Sequence, residues 1–221
     1  ANLYFSRLAG HGQEGSSLGR ATLAEWHKDS LETLNIGRTL GKRVVVIACS
    51  TGVPLVLRAL AEKPEAIAAC IFISPNFGLA HRGSNLMLQL PWVRHWGPLI
   101  MGRTREYEPR SEGHKKYWTT RYDVQAIYTM MEAVSAAAKL DLATFLVPLA
   151  TLFCPEDQVV SPEKIRMALQ RWGGPREILE MDKGRDPSGH LLLGTVMNPE
   201  QTDVATDFAL DFCRRYLGNH L

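Results

Sequence analysis

The chain has 221 residues, of which 45% are hydrophobic and 22% are charged, and this balance is typical of one globular domain with a sizeable core. Its formal net charge of +2 is too small to favour nucleic acid or an anionic membrane as a partner, and the Lys and Arg residues are scattered. No apolar run reaches the ~20 residues needed to span a bilayer, so no stable membrane insertion is expected.

Short apolar strands alternate with helices in the first third of the chain. The predicted elements are a strand over residues 2–8, a helix over 20–39, a strand over 44–48, a helix over 51–62 and a strand over 66–74. Unbroken apolar strands that alternate with helices indicate an α/β protein with a mostly parallel sheet covered on both faces.

Residues 79–120 interrupt this alternation of strands and helices, and they are rich in Trp, Pro, Gly and Arg. The alternation then resumes with a helix over 122–140, a strand over 148–154, a helix that begins at Ser161-Pro162, a strand over 176–181 and a final helix from Pro199 to about Leu217. No internal repeat or low-complexity linker separates the elements, so a single α/β domain with one insertion is predicted.

The stretch Ala48-Cys49-Ser50-Thr51-Gly52 joins an apolar strand directly to a helix. A serine at such a sharp corner is pushed to positive φ, and small residues two places before and after it avoid clashes. Its hydroxyl is then presented as a nucleophile, while the backbone N–H of Thr51 at the helix start can stabilise an oxyanion. Two alternatives are that Ser50 is a simple helix N-cap, or that Cys49 is the nucleophile with bulkier neighbours.

A nucleophilic serine needs a base, and the base needs an orienting acid. Asp157 follows the strand over 148–154, and His190 lies in a loop after the last predicted strand. The chain order Ser50, Asp157, His190 therefore places three candidate catalytic residues after strands whose ends share one edge of the sheet.

These motifs resemble those of the α/β-hydrolase-fold serine hydrolases of the carboxylesterase and monoacylglycerol-lipase type. "ACSTGV" resembles the family's nucleophile elbow, "CPEDQVVSP" its acid loop, "SGH" its histidine loop and "RLAGHG" its Pro-Gly-His-Gly turn. The resemblance covers nearly the whole chain. It implies an α/β-hydrolase fold, a Ser50–His190–Asp157 triad, an acyl-enzyme and neither a metal nor an organic cofactor.

Each assignment has competitors. Glu156, Asp182 and Asp186 are alternative acids because they lie beside Asp157 or close to His190. The competing bases are His11, His27, His81, His95, His114 and His220, none of which has the Ser-Gly-His context.

The resemblance also implies a strand beside the 44–48 strand that supplies a second oxyanion donor. No stretch of the sequence matches that strand. We therefore expect an N-terminal segment or a second chain to complete the sheet.

The insertion at residues 79–120 lies where the family carries a cap. The predicted organisation is thus a first core part over 1–78, a cap over 79–120 and a second core part over 121–221. Apolar residues in the cap suggest a pocket for an apolar acyl or alcohol group. Cys49, Trp92, Trp96 and Met101 are the candidate substrate-binding residues. Arg103, Arg105 and Arg110 are interpreted as solvated or salt-bridged, with anion binding as the alternative.

The predicted function is hydrolysis of small apolar carboxylic esters. A thioesterase, an amidase or a C–C bond hydrolase on the same fold remains open, as does a non-catalytic binding protein. The four cysteines stand singly in apolar segments, which predicts free thiols and favours a cytoplasmic location.

Overall fold

The computed structural model of the protein describes residues 1–88 and 90–218, so His220 lies outside the described residues. The described residues contain six strands: β1 (Val45–Cys49), β2 (Ala69–Ile73), β3 (Thr104–Glu106), β4 (Arg121–Asp123), β5 (Leu149–Phe153) and β6 (Arg176–Glu180). They also contain nine α-helices: α1 (Gly15–Arg20), α2 (Leu23–Leu40), α3 (Gly52–Glu62), α4 (Arg82–Met87), α5 (Val93–Met101), α6 (Glu112–Tyr117), α7 (Gln125–Ala137), α8 (Pro162–Arg171) and α9 (Pro199–Leu217). Within this described part, no helix combines the length and apolar character that crossing a membrane requires.

Four strands form one parallel sheet in the order β1-β2-β5-β6. The register pairs Ala48 with Phe72 and Ile71 with Ala150, so the carboxyl ends of β1, β2 and β5 lie side by side. This arrangement confirms the predicted parallel sheet. The short antiparallel pair β3-β4 was not predicted, because each strand has three residues of mixed polarity and no apolar run.

The core lies on both faces of the parallel sheet, as predicted. Because successive side chains of a strand point to opposite faces, Cys70 and Phe72 pack on one side of β2 and Ala69 and Ile71 on the other. The first face is covered by α2, α3 and α8, and the second by Phe212 and its neighbours on α9. Because both faces of the sheet are covered, polar functional side chains can gather at the carboxyl ends of its strands.

The predicted strand over residues 2–8 is wrong, since this stretch forms no ladder with another strand in the described residues. The segment instead contacts helix α2. Asn2 donates a side-chain hydrogen bond of 2.6 Å to the carbonyl oxygen of Leu40, and the Thr33 hydroxyl donates one of 2.7 Å to Ser6. A strand needs a neighbouring backbone to satisfy its N–H and C=O groups, and a helix does not offer one.

Strand β1 lies at one end of the sheet, where it pairs with β2 alone among the described residues. The side chain of Ile47 is 61% exposed. Parallel sheets normally bury both faces of their strands, and a free strand edge is a template for pairing. The further strand expected beside β1 stays a prediction.

Candidate active site

Ser50 occupies the corner between β1 and α3 with a φ of 48°, the left-handed conformation that the sequence predicted. Its N–H donates a hydrogen bond of 2.9 Å to the carbonyl oxygen of Ile73, which anchors the corner to the end of β2. A Cβ added to Gly52 would lie 3.7 Å from the Cβ of Ala48. Small residues at these two positions therefore fit around the corner without displacing its backbone.

Thr51, and not Ser50, is the N-cap residue of α3, and its side chain makes no capping hydrogen bond. The Ser50 Oγ lies 3.0 Å from His190 Nε2, which disfavours the alternative that Ser50 is a simple N-cap. The first N–H groups of a helix lack intrahelical partners and carry partial positive charge. The start of α3 thus places hydrogen-bond donors directly after the Ser50 corner.

Asp157 lies in the loop that follows β5 and is almost fully buried. Its Oδ1 accepts hydrogen bonds from the backbone N–H groups of Val159 at 2.7 Å and Val160 at 3.0 Å. These two hydrogen bonds fix the backbone of the loop before α8. They also orient the carboxylate so that Oδ2 faces His190.

His190 joins Asp157 to Ser50. Its Nδ1 lies 2.8 Å from Asp157 Oδ2, and its Nε2 lies 3.0 Å from Ser50 Oγ. In the tautomer with Nδ1–H as the donor to the Asp157 carboxylate, Nε2 is left to accept the Ser50 hydroxyl. The structure thus brings together the three residues that the sequence singled out, although 140 residues separate Ser50 from His190.

The backbone of His190 is held from two sides by residues whose part the sequence analysis missed. The hydroxyl of Ser74, fully buried after β2, donates a hydrogen bond of 2.8 Å to the His190 carbonyl oxygen. The carboxylate of Asp186 accepts the His190 N–H at 3.0 Å. Ser74 could have been found in the sequence as a polar residue directly after an apolar strand. Asp186 was considered only as an alternative catalytic acid.

Two of the three competing acids have other partners, and the third is exposed. Glu156 forms an ion pair of 2.5 Å with Lys183, and Asp182 is exposed. Asp186 binds the backbone of the histidine loop and not the imidazole. Among the described residues, Asp157 therefore makes the carboxylate contact to the His190 ring.

Two of the competing bases have other partners in the structure. His27 pairs with Glu62 at 2.8 Å, and His114 packs its ring against Trp118. Cys49 is an exposed residue at the end of β1, and desolvation by its surroundings, followed by the negative charge of Asp157, raises the pKa of its thiol to about 11. All four cysteines are free. Within the part of the chain that the structure describes, no group of three or more His, Cys, Asp or Glu side chains is arranged to hold a metal ion.

The four candidate substrate-binding residues lie in three different environments. Trp92 is 79% exposed at the start of α5. Trp96 and Met101 pack into an apolar cluster with Tyr128 of α7. Cys49 lines a mainly apolar cavity of about 190 Å³ between β1, α2 and α3. Their contact with a substrate stays a prediction.

Comparison with known proteins gives a consistent assignment. A sequence profile of the alpha/beta hydrolase family matches residues 4–202. No curated protein sequence matches the chain. A solved structure from the work on LipS and LipT, two metagenome-derived lipolytic enzymes, is similar with a TM-score of 0.75 at 19% identity, covering 95% of this chain and 80% of that one.

Two monoacylglycerol lipases are also similar in structure. The Saccharomyces cerevisiae monoglyceride lipase has a TM-score of 0.67 at 11% identity, covering 96% of this chain and 76% of that one. The Paleococcus ferrophilus monoacylglycerol lipase has a TM-score of 0.61 at 16% identity, covering 84% of this chain and 74% of that one. At such low identities the structural similarity shows the fold alone. The family assignment rests on the sequence profile, which matches most of the chain. The protein therefore belongs to the alpha/beta hydrolase family.

Proposed function

We propose that the protein is a serine hydrolase that cleaves carboxylic esters through an acyl-enzyme, with Ser50 as nucleophile, His190 as general base and Asp157 as the orienting acid. The observation that carries this proposal is the continuous line of hydrogen bonds from Ser50 Oγ to His190 Nε2 at 3.0 Å and from His190 Nδ1 to Asp157 Oδ2 at 2.8 Å. A nucleophile, a base and an orienting group in this geometry are the requirements of covalent acyl transfer.

In the first half of the reaction, Ser50 Oγ attacks the carbonyl carbon of the ester while His190 Nε2 takes the hydroxyl proton. Collapse of the tetrahedral intermediate breaks the ester C–O bond, and His190 returns the proton to the departing alcohol. In the second half, His190 deprotonates a water molecule that attacks the acyl-enzyme. The acid then leaves and the proton returns to Ser50. General base catalysis of this kind contributes about 10²–10⁴ in rate.

The oxyanion of both intermediates needs hydrogen-bond donors. The N–H of Thr51, at the start of α3, is the donor that we assign to it. One well-placed donor contributes about 3 kcal/mol to the transition state. A second donor is expected from a strand beside β1, whose outer edge is open in the described residues.

Apolar esters are the substrates that the 79–120 segment favours. Leu86, Trp92, Leu99 and Ile100 are each more than two-thirds exposed in this segment. We propose that it acts as a cap over the core parts 1–78 and 121–221, and that Trp92, Trp96 and Met101 contact an apolar acyl or alcohol group together with Cys49. Similarity to proteins described as lipolytic enzymes and monoacylglycerol lipases supports this substrate class.

Labelling with a fluorophosphonate probe tests the proposal, because the probe reacts with activated serines. The protein is treated with the probe, and the adduct is mapped by peptide mass spectrometry. We expect one adduct on Ser50, none in Ser50→Ala, and wild-type labelling in the control Ser135→Ala, whose serine lies on α7. A folded wild-type protein that takes no adduct would instead fit a non-catalytic binding protein.

A substrate panel then tests the bond that is cleaved. Hydrolysis is measured for 4-nitrophenyl esters of two to twelve carbons, for matched thioesters and for matched anilides. We expect the esters to have the highest kcat/KM, with a preference for medium acyl chains over acetate. Faster turnover of thioesters or anilides would move the protein to a thioesterase or amidase.

A further inference from the structure

Asp186 is completely buried within the loop that carries His190. Its Oδ2 accepts hydrogen bonds from the N–H of His190 at 3.0 Å, the N–H of Leu191 at 2.8 Å and the hydroxyl of Ser188 at 2.6 Å. Its Oδ1 accepts the N–H of Ser188 at 3.1 Å. One side chain thus collects the backbone and side-chain donors on both sides of the candidate base.

Arg110 reaches this carboxylate from the 79–120 segment. Its guanidinium forms an ion pair with Asp186, 76 residues further along the chain. The arginine is itself held in place, because its backbone N–H donates a hydrogen bond of 3.2 Å to His114 Nδ1. His114 is buried, and its ring lies against Tyr107 and Trp118. The backbone that carries the Arg110 cation is therefore tied to a buried histidine of the same segment.

The ionisation of Asp186 agrees with this geometry. Burial alone would raise its pKa, but the hydrogen bonds donated by Leu191, Ser188 and Arg110 lower the pKa to about 2. A buried charge is tolerated when it is paired and its lone pairs are satisfied. Removing the cation would leave the carboxylate with neutral donors, and the loop would lose its charge-assisted contact.

We propose that Asp186 is a positioning residue for His190, and that Arg110 couples the 79–120 segment to the histidine loop through it. Asp186 does not touch the imidazole, so its part differs from that of Asp157. It sets where the His190 backbone lies and thereby where Nε2 lies relative to Ser50 Oγ. The inference rests on the proposed function in that His190 is the base.

The test uses Arg110→Gln, which alters a side chain that is 42% exposed and leaves the core packing intact. Arg110→Lys keeps the positive charge. The matched control is Arg185→Gln, because Arg185 lies beside Asp186 in the same loop but pairs with Glu200. For each variant we measure kcat and KM with 4-nitrophenyl butyrate, and the rate of fluorophosphonate labelling of Ser50 from pH 5 to pH 9.

We expect Arg110→Gln to lower both kcat and the labelling rate about tenfold, with KM changed less than about twofold. Arg110→Lys should recover most of this loss, and Arg185→Gln should match the wild type. A wild-type labelling rate in Arg110→Gln would overturn the proposal. A higher KM with unchanged labelling would also overturn it, because Arg110 would then contact substrate and not position the base.

Hydrogen–deuterium exchange separates this inference from the proposed function, since it needs no activity. We expect amides in the peptide 183–193 to exchange at least about fivefold faster in Arg110→Gln than in Arg185→Gln. Equal exchange in the two variants would overturn the coupling even if the wild type hydrolyses esters. Faster exchange in a protein that takes no fluorophosphonate would support the coupling while the proposed function fails.

Discussion

The hydroxyl of Ser74 donates a hydrogen bond of 2.8 Å to the carbonyl oxygen of His190. Ser74 directly follows the buried strand β2 and has a φ of 44°, an unfavourable conformation for a residue with a Cβ. The strained corner therefore holds the main chain of the candidate base against the edge of the sheet. It stands next to the Ser50 corner, since β1 and β2 are neighbours in the sheet.

Ser74→Ala tests this contact. The substitution leaves the buried carbonyl group of His190 without its donor, which costs about 1–3 kcal/mol. We expect the free energy of unfolding in urea to fall by about that amount. Ser74→Gly also lacks the hydroxyl but accepts a positive φ, so it should be at least as stable as Ser74→Ala. Wild-type stability of Ser74→Ala would show that the hydrogen bond contributes nothing.

Asp157→Asn tests the orienting acid. The amide oxygen can still accept the backbone N–H groups of Val159 and Val160, so the fold should persist. The amide nitrogen would face His190 Nδ1, disfavour the required tautomer and lower kcat by about 10³–10⁴. The matched control is Glu156→Gln, one residue away, which should retain kcat. Comparable losses in both variants would contradict the assignment of Asp157.

Gly97→Ala tests the packing of α5 on α7. A Cβ at Gly97 would lie 2.1 Å from the hydroxyl oxygen of Tyr128, a buried group without a hydrogen-bond partner among the described residues. Overpacking of this kind costs about 1–3 kcal/mol of unfolding free energy.

Tyr128→Phe supplies the control, because it removes the atom that would clash with the new methyl group. We expect the double variant Gly97→Ala/Tyr128→Phe to be more stable than Gly97→Ala alone, as measured by urea unfolding in a double-mutant cycle. Strict additivity of the two single changes would show that the two side chains do not meet.

The buried carboxylate of Asp186 predicts a pH dependence of stability. Burial would raise its pKa, but the hydrogen bonds from Leu191, Ser188 and Arg110 lower it to about 2, below the unfolded value near 3.8. The folded protein therefore binds this proton more weakly than the unfolded chain. We therefore expect the carboxylate to stabilise the fold above pH ~4, and this contribution to be lost as the pH falls toward ~2.

Urea unfolding of the wild type and of Asp186→Asn between pH 3 and pH 6 measures this contribution. The wild type should lose stability more steeply than the variant as the pH falls, since the amide does not titrate. Parallel curves for the two proteins would mean that the pKa of Asp186 is the same in both states.

Much of the fold followed from short-range patterns. The runs of β-branched residues in β1 and β2 and the alternating helices predicted a parallel sheet with both faces covered. The serine between Ala48 and Gly52 predicted a corner with positive φ. Both features depend on sterics and periodicity over a few residues, so the local sequence was sufficient to find them. Ser50, Asp157 and His190 were likewise chosen as candidates because each lies after a predicted strand.

Contacts between distant segments were decided by the tertiary structure. Residues 2–8 have a strand-like composition, yet they lie along α2, because a strand forms only where another backbone can pair with it. No spacing or motif in the sequence predicts the hydrogen bond from Ser74 to the His190 carbonyl oxygen. The same holds for the ion pair of Arg110 with Asp186. Such contacts depend on which strand ends and loops become neighbours, and that is settled when the whole sheet and its covering segments pack together.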